Sequence, residues 1–349
     1  MHKEWETLVL NNSDLGTWEA LLDNHCLARS VVCMWAEQAG WQAHKFGLRA
    51  HGQLVGGLIL ATRKVPGLPF HLGRISCAMV GPDKPAAMLS ALLTEVERFA
   101  AANAIVEVEL RLRIPTTIPL PGFESHHEIS QVLDASDYRA LSTVDHTYLV
   151  RIDRPDEEIL KSFGSTCRNL VRKALKSDAK IAPAADTALL EQFHTSYLAM
   201  CRRKNIAGQD SRCVIDGMKA LIEKNRVSLF LESYAGRIAN MALVDTLGVP
   251  CYMLGTQTEA AVNKEVPSHA QALQYGIMKF MRDRGKVLYD LGGCEGPEPQ
   301  KGHRNYGVWH FKHGFRGEYV DFLPYRRKPL RSLMGPLLNL AHRLRGDPS

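Results

Sequence analysis

The sequence predicts an α/β protein made of two related domains, and three observations support this fold class. The chain has 349 residues, which is long for a single hydrophobic core. Segments with the two-residue alternation of strands are interspersed with segments that have the apolar spacing of helices. The two halves repeat one order, namely a β-hairpin with a Gly-containing turn, then a helix, then a strand. We therefore predict domains at residues 1–145 and 146–325, followed by a basic tail at residues 326–349.

The first half supplies a hairpin, a helix and a strand. Residues 45–50 and 54–60 have the composition of strands, and His51-Gly52 between them predicts the hairpin turn. Residues 84–102 carry Met, Leu, Val and Phe at helical spacing and predict an amphipathic helix. Residues 105–112 alternate and predict a strand, which ends at a Pro-rich loop.

The second half repeats these elements with additional helices. It has predicted strands at residues 147–152, 228–232, 238–244, 251–255 and 287–290. Its predicted helices lie at residues 156–176, 189–204, 212–224 and 267–284. A Tyr-Ala-Gly-Arg turn joins the second and third of these strands and predicts the second hairpin.

The composition is that of an ordinary globular protein, with 45% hydrophobic and 23% charged residues. No apolar run approaches the roughly 18 residues needed to span a bilayer, and no signal-peptide pattern follows the charged first residues, so we expect a cytoplasmic protein. The eight cysteines are scattered without a C-x-x-C pair, and no His, Cys and carboxylate spacing is typical of a metal clamp. We expect reduced cysteines and no metal site.

Positive charge is the main electrostatic feature, with a net charge of +6 that is compatible with a polyanionic partner. The helix predicted at residues 156–176 has a basic face. Its predicted contacts to a tRNA backbone are Arg168, Arg172, Lys173 and Lys176. The alternative interpretation is a solvated charged face.

The tail at residues 326–349 intersperses Arg and Lys with Leu and Met, which predicts a basic amphipathic segment. One interpretation is a terminal helix that packs on its own domain. Another is peripheral contact with an anionic membrane surface, or with RNA.

The most informative motifs lie near the C-terminal end of the sequence. Tyr-Asp-Leu-Gly-Gly at residues 289–293 predicts a buried strand that stops at a turn, and a loop rich in Gly, Pro and charge follows. Lys312 then lies within Phe-Lys-His-Gly-Phe at residues 311–315. Because chemistry often lies on loops at strand ends, we expect a catalytic loop here. The alternative is a β-turn followed by an aromatic core segment with a solvated lysine.

Taken together, these motifs resemble the Fem family (FemXAB-like) of aminoacyl-tRNA-dependent peptidyltransferases, which have two tandem GNAT-like domains. The resemblance covers roughly residues 146–325 and is weaker in the first half. It is carried by residues 166–174, 193–206, 251–255, 289–293 and 311–315.

The resemblance implies mixed sheets flanked by helices and an enzyme that transfers an aminoacyl group from tRNA to an amine. Aminoacyl-tRNA is then the co-substrate, and no other cofactor is expected. The resemblance also implies two catalytic residues, Lys312 as the cation at the reacting carbonyl or a neighbouring phosphate, and Phe311, which with Phe315 would fix the lysine stem and exclude water. The implied substrate-binding residues are Arg203, Tyr197, Tyr252 and Phe315. The alternatives at two of these positions are a solvated helix arginine at Arg203 and a half-buried strand tyrosine at Tyr252.

The sequence also departs from the family's pattern. Family members that act on the nucleotide-linked cell-wall precursor carry a lysine four residues after a tryptophan in the first domain, whereas Ala39 follows Trp35 here. Asn205 stands where the family often has Gly, and the second half has no long charged heptad insertion of a coiled-coil arm. The acceptor is therefore left open between a cell-wall precursor, a peptide and a small molecule that bears an amine.

Two other function classes compete with this one. An acyl-CoA-dependent GNAT N-acyltransferase needs a Q/R-x-x-G-x-G/A loop at a helix N-terminus to hold the pyrophosphate. The nearest match, residues 53–58, lies inside a predicted strand. The third class is a non-catalytic RNA- or membrane-binding module, which the basic tail favours and the motif around Lys312 disfavours.

Overall fold

The chain divides into two compact units, each built on one seven-stranded sheet with helices packed on it. The computed structural model describes residues 5–11, 14–25, 41–81, 84–120, 126–142, 144–184, 186–205, 212–294, 296, 299, 301–303 and 305–331. The first unit combines the residues up to Asp145 with those from Asp321 onward, and the second unit is His146–Val320. The predicted fold class, α/β with mixed sheets flanked by helices, is confirmed.

The first unit contains ten of the described elements. They are β1 (Glu6–Val9), α1 (Leu15–Asn24), β2 (Gln42–Ala50), β3 (Gln53–Lys64), β4 (His71–Met79), α2 (Pro85–Ala102), β5 (Ile105–Leu110), α3 (His126–Ala135), β6 (Arg139–Ala140) and, from the end of the chain, β14 (Arg326–Pro329).

The second unit contains the remaining described elements. They are β7 (His146–Arg151), α4 (Asp156–Ser162), α5 (Ser165–Lys176), β8 (Lys180–Pro183), α6 (Leu189–Lys204), α7 (Arg212–Glu223), β9 (Val227–Tyr234), β10 (Arg237–Asp245), β11 (Cys251–Gln257), α8 (Glu259–Val262), α9 (Ala270–Arg282), β12 (Leu288–Asp290), α10 (Tyr306–His313) and β13 (Glu318–Asp321).

The two sheets share the order of their first five strands and differ in which strand of the unit takes the sixth place. The first sheet runs β1-β2-β3-β4-β5-β14-β6, and the second runs β8-β9-β10-β11-β12-β7-β13. In each sheet one neighbouring pair is parallel, β4 with β5 and β11 with β12, and a long helix lies between the two strands in the chain. A crossover helix is what a parallel pair requires. The repeated order read from the sequence therefore corresponds to a repeated topology.

Both predicted hairpin turns have the backbone that such turns need. His51 and Gly52 have φ of 50° and 79°, and Ala235 and Gly236 have φ of 47° and 80°. Two consecutive positive φ values are those of a type I′ turn, whose twist matches that of the flanking strands. The Gly in the second position of each turn adopts this conformation without steric cost.

The helix predicted over residues 156–176 is two helices, which corrects the prediction. Phe163 and Gly164, between α4 and α5, are extended, with ψ of 153° and 150°. Gly164 donates its N–H to Gly314 O at 2.9 Å, and a Cβ on Gly164 would lie 3.2 Å from that oxygen. The break thus lets the backbone approach the end of α10, a tertiary contact that helical periodicity does not report.

The catalytic loop predicted around Lys312 is instead a helix. In α10, Trp309 and Lys312 are buried and lie three residues apart, on one face of the helix. The helix contains Gly307 and two histidines, which are poor helix formers. Since Trp309 belongs to the core of the second unit, packing rather than propensity stabilises this helix.

The first four residues of the predicted basic tail, 326–329, do not form an amphipathic tail segment. Arg326–Pro329 forms β14, which pairs with β5 and β6. The side chain of Arg326 is buried and donates to Asp134, to Ser130 Oγ at 2.6 Å and to Tyr138 O at 3.1 Å. Residues 332–349 of the predicted tail lie outside the described residues. None of the described helices is both long and apolar enough to cross a membrane.

Candidate functional site

The candidate site lies where two parallel strands of the second unit part. β11 and β12 pair at Cys251 and Asp290 alone. Beyond that point β11 continues to Gln257 alongside β10, whereas the chain after Asp290 forms a turn that stays hydrogen-bonded to β7. The strand-end motif at residues 289–293 therefore lies beside Tyr252, where the pairing of β11 with β12 ends.

Lys312 enters this place from α10. Its side chain is 6% exposed, and Nζ donates to Gly293 O at 2.5 Å. Nζ also lies 5.9 Å from the centroid of the Tyr252 ring, within the range of a cation–π interaction. A buried ammonium is costly unless it is solvated by the protein, and these two contacts provide that solvation. The structure thus places Gly293 and Tyr252, which come from two other sequence motifs, around the ammonium of Lys312.

Glycine at position 292 is a steric requirement of the site. Gly292 has φ of +76°, which favours glycine. A Cβ at this position would overlap the carbonyl oxygen of Tyr252 and would lie 3.6 Å from Lys312 Nζ. The first glycine of the Gly-Gly pair therefore allows the turn to pack directly on β11.

Tyr252 is a partly buried residue whose ring lies along its own strand. A Cβ on Gly255 would overlap Tyr252 Oη, so Gly255 makes room for the ring. Burial raises the pKa of Tyr252 to about 12, so the phenol is neutral at physiological pH and retains its donor. The spacing of Tyr and Gly in the motif at residues 251–255 is explained by this packing.

Phe311 and Phe315 lie on either side of Lys312 in sequence but differ in burial. Phe311 is partly buried, and its ring packs edge-on to Phe315 with a centroid distance of 5.4 Å. Phe315 is fully buried and also contacts Phe163, with centroids 5.1 Å apart. Phe315 therefore supports α10 from inside the core, and its role in substrate binding stays a prediction.

Three consecutive residues of β7 hold the turn that carries Gly293. The backbone contributes two hydrogen bonds, from Leu291 N–H to Tyr148 O at 3.0 Å and from Cys294 N–H to His146 O at 2.9 Å. These bonds hold the chain on both sides of the two glycines.

The side chain of Thr147 holds the chain between those points. Thr147 Oγ1 lies 2.5 Å from Asp290 Oδ1 and 2.8 Å from Gly292 O, and Asp290 Oδ1 accepts the Gly292 N–H at 2.7 Å. Thr147 and Asp290 are both fully buried. Sequence analysis did not find Thr147, since a threonine in an alternating strand carries no distinguishing signal.

Two of the predicted substrate-binding residues lie on α6, which packs against β11. Tyr197 is buried, stacks on Phe193 with a centroid distance of 6.1 Å, and has its pKa raised to about 12 by burial and by the Cys201 thiol. It lies outside the described aromatic cluster that contains Trp309 and Phe315. Arg203 is exposed in the last turn of α6. The structure therefore does not bring these two side chains to Lys312 in any described contact.

Asn205 ends α6 in the left-handed conformation, with φ of 49° and ψ of 48°. Glycine is the usual residue at this position of a helix, and Asn is the side chain that replaces it at least cost. The departure from the family's pattern at Asn205 is therefore compatible with the same helix ending.

The basic side chains of α5 divide into two groups. Arg172, Lys173 and Lys176 are exposed. Arg168 is partly buried and donates Nη1 to Lys161 O at 2.9 Å and to Phe163 O at 3.2 Å, at the end of α4. Arg168 therefore has a structural contact in addition to any contact with a polyanion. In the described part of the chain, no cluster of His, Cys, Asp and Glu side chains has the arrangement of a metal site.

Comparison with curated proteins finds transferases. The chain is 23% identical to a lipid II:glycine glycyltransferase of Staphylococcus haemolyticus (strain JCSC1435), over 80% of this chain and 82% of that protein. It is 24% identical to a lipid II:glycine glycyltransferase of Staphylococcus aureus (strain MRSA252), over the same shares of the two chains. No protein-family model matches the chain.

Comparison with solved structures finds the same architecture. A crystal structure of FemX superposes with a TM-score of 0.81 and 19% identity, covering 96% of this chain and 99% of that chain. A tandem GNAT protein from the clavulanic acid biosynthesis pathway superposes with a TM-score of 0.52 and 13% identity, covering 94% and 99%. The fold is therefore that of two tandem GNAT-like domains. The chain is thus similar in sequence to lipid II:glycine glycyltransferases and similar in fold to FemX.

Proposed function

We propose that this enzyme transfers an amino acid from aminoacyl-tRNA to an amine on the peptide of a cell-wall precursor. The observation that carries the proposal is the buried ammonium of Lys312, held by Gly293 O at the parting of β11 and β12. The similarity to lipid II:glycine glycyltransferases supports glycine as the amino acid and a lipid II-type peptide as the acceptor to be tried first.

The chemistry of an aminoacyl ester matches what Lys312 offers. The ester is already activated, so the enzyme has to position the amine and stabilise the oxyanion that develops on the carbonyl. The amine nitrogen bonds to the carbonyl carbon, the bond from that carbon to the ribose oxygen breaks, and the proton that the amine loses balances the one that the ribose oxygen gains. An ammonium has three N–H donors, so Lys312 can hold Gly293 O and donate to the oxyanion at the same time.

The tRNA partner is supported by the basic face of α5. Arg172, Lys173 and Lys176 are exposed on this one helix, and phosphate contacts by such residues account for most of the sequence-independent affinity for nucleic acid. We propose that these three side chains contact the tRNA backbone, with Arg168 contributing less because its guanidinium also binds the end of α4.

The acceptor is proposed as a lipid-linked peptide, with a soluble peptide or small-molecule amine as the second class to be tested. Arg203 is the proposed acceptor contact, because an exposed guanidinium suits a phosphate. The position where the family's precursor-binding lysine is replaced by Ala39 lies outside the described residues. A cytoplasmic enzyme with peripheral membrane contact through its basic tail fits this acceptor.

The acyl-CoA alternative has no observation in its favour. Its nearest loop, residues 53–58, lies in β3 between two partner strands, and Gly57 is paired with both Gly47 of β2 and Met79 of β4. Backbone groups that are paired within a sheet do not cradle a pyrophosphate at a helix N-terminus.

The proposal is tested by single-turnover transfer with a labelled amino acid. Glycyl-tRNA, then a pool of other aminoacyl-tRNAs, is mixed with excess enzyme and either lipid II, a soluble precursor peptide or no acceptor, and labelled acetyl-CoA is assayed in parallel. We expect acceptor-dependent loss of label from tRNA and its appearance on the peptide. Transfer from acetyl-CoA without transfer from any charged tRNA would overturn the proposal.

A further inference from the structure

We propose that Thr147 and Asp290 are positioning residues for Lys312, an inference that rests on the proposed function. They act on the carbonyl to which the ammonium donates, that of Gly293, by holding the turn in which it lies.

Each peptide group of the turn is held by a different partner. The N–H of Gly292 is accepted by Asp290, the C=O of Gly292 lies at hydrogen-bond distance from Thr147 Oγ1, and the C=O of Gly293 accepts from Lys312. The N–H of Cys294 is accepted by β7. Three successive peptide groups, which begin at residues 291, 292 and 293, therefore have defined orientations.

The backbone of β7 does not hold all three of these peptide groups by itself. Its hydrogen bonds hold the residues before and after the two glycines, whereas the peptide group between Gly292 and Gly293 lies between those points. Glycine has the widest choice of backbone conformations, so two adjacent glycines are free to rotate unless a side chain prevents it. The hydroxyl of Thr147 is the described group that holds this peptide.

The hydrogen bonds of Thr147 and Asp290 are buried in the core of the second unit. Thr147 and Asp290 have no solvent-exposed surface, so water does not compete for the acceptors, and hydrogen bonds in such an environment are strong. Thr147 Oγ1 lies within hydrogen-bond distance of both Asp290 Oδ1 and Gly292 O, so one side chain of β7 contacts both groups. Loss of the hydroxyl would release the turn without removing any group in described contact with Lys312.

The test is a double-mutant cycle between Thr147→Val and Lys312→Met, read by single-turnover transfer from charged tRNA. Valine keeps the shape of threonine and removes the hydroxyl. We expect Thr147→Val to lower the rate constant roughly 10- to 100-fold, the range in which a displacement of about 1 Å affects catalysis. The apparent affinity for charged tRNA should be unchanged. Thr147→Ser, which restores the hydroxyl, should recover the rate to within about threefold of the unmodified protein.

The decisive measurement is the effect of Thr147→Val in the Lys312→Met background. If Thr147 acts through Lys312, the second substitution should lower the residual rate by less than about threefold. Thr246→Val is the matched control, because the Thr246 hydroxyl also contacts two main-chain carbonyls of the second unit, those of Asn225 and Arg226. Thermal unfolding reports whether each variant folds, and Thr147→Ala replaces Thr147→Val if valine prevents folding.

The outcomes separate this inference from the proposed function. An unchanged rate for Thr147→Val, or an equal fold loss in both backgrounds, would overturn the positioning role while leaving the transferase intact. A folded Lys312→Met protein that transfers at the unmodified rate, or an unmodified protein that transfers nothing from any charged tRNA, would instead overturn the proposed function.

Discussion

Lys312 is a charged residue in a buried position. An ammonium loses its hydration when it is buried, and proteins retain such a group where it is bonded and where it serves a purpose. Here Gly293 O and the face of Tyr252 replace the lost water. The motif at residues 311–315 therefore encodes an enclosed cation rather than the solvated lysine of the alternative interpretation.

Replacing Lys312 by methionine tests that cation directly. Methionine keeps the apolar stem and removes the charge, so transfer should fall by about 10² to 10³, the range for loss of one preorganised oxyanion donor. Gly293 O loses its donor, so the free energy of unfolding should fall by no more than about 1–3 kcal/mol. Single-turnover rates and denaturant unfolding measure the two effects. Lys279→Met, in the same unit, is the control for loss of a lysine charge, and near-normal transfer by folded Lys312→Met would remove this residue from the mechanism.

Position 292 should not tolerate even the methyl side chain of alanine without a loss of stability. Gly292→Ala places a Cβ against the Tyr252 carbonyl and forces alanine to a positive φ, so the free energy of unfolding should fall by at least about 1–2 kcal/mol. Gly293→Ala is the matched control, because a Cβ there has no atom within 4 Å. Denaturant unfolding of the two variants makes the comparison. Equal stability for both would mean that the close approach of the turn to β11 is unimportant.

Among the elements, α10 and the α4–α5 break show how tertiary contacts modify local preference. Periodicity located both segments, and the strand and helix positions of the second half agree closely with the structure, as α6 at Leu189–Lys204 illustrates. Periodicity did not predict the extended Phe163 and Gly164, because their reason is the approach of Gly314 O. It also missed β4, whose residues are buried on both faces and therefore lack the alternation of a half-exposed strand.

The basic face of α5 leads to a prediction about salt dependence. Arg172→Gln, Lys173→Gln and Lys176→Gln together should weaken binding of charged tRNA. The slope of log affinity against log salt should fall by about 0.7–0.9 for each lost phosphate contact. Arg168 is left in place because its loss would also remove its hydrogen bonds to the end of α4.

The matched control neutralises three exposed lysines on other elements of the same unit, Lys219, Lys224 and Lys264. It changes the net charge by the same amount, so it separates local contact from overall attraction. Filter binding at several salt concentrations measures both variants. An α5 variant with the slope of the unmodified protein would show that this helix is only a solvated face.

In the whole molecule, the chain returns to its first unit after completing the second. β14 pairs with β5 and β6, and Arg326 binds residues of α3 and the carbonyl of Tyr138. Residues near the end of the sequence thus complete a sheet that begins near its start.

A truncation after residue 325 should therefore destabilise the first unit. Several backbone hydrogen bonds worth about 1 kcal/mol each are lost, together with the buried Arg326, so the first unit should lose about 2 kcal/mol or more. Hydrogen exchange resolved by peptide can assign the loss to β5 and β6. A truncation after residue 331, which keeps β14, is the control. Unchanged protection of β5 in the shorter protein would contradict the structural role of β14.

The sequence by itself determined the α/β class, the repeated order of elements, both hairpins and the motifs that contain Lys312, Tyr252 and the Gly-Gly turn. These features depend on side-chain periodicity and on turn chemistry, which are local. Only the tertiary structure decided that Lys312 lies on a helix, that Phe315 is in the core, that residues 326–329 are a strand of the first sheet, and that Thr147 holds the turn. The physical reason is that each of these depends on contacts between residues far apart in the chain, such as Thr147 with Gly292, which no local pattern records.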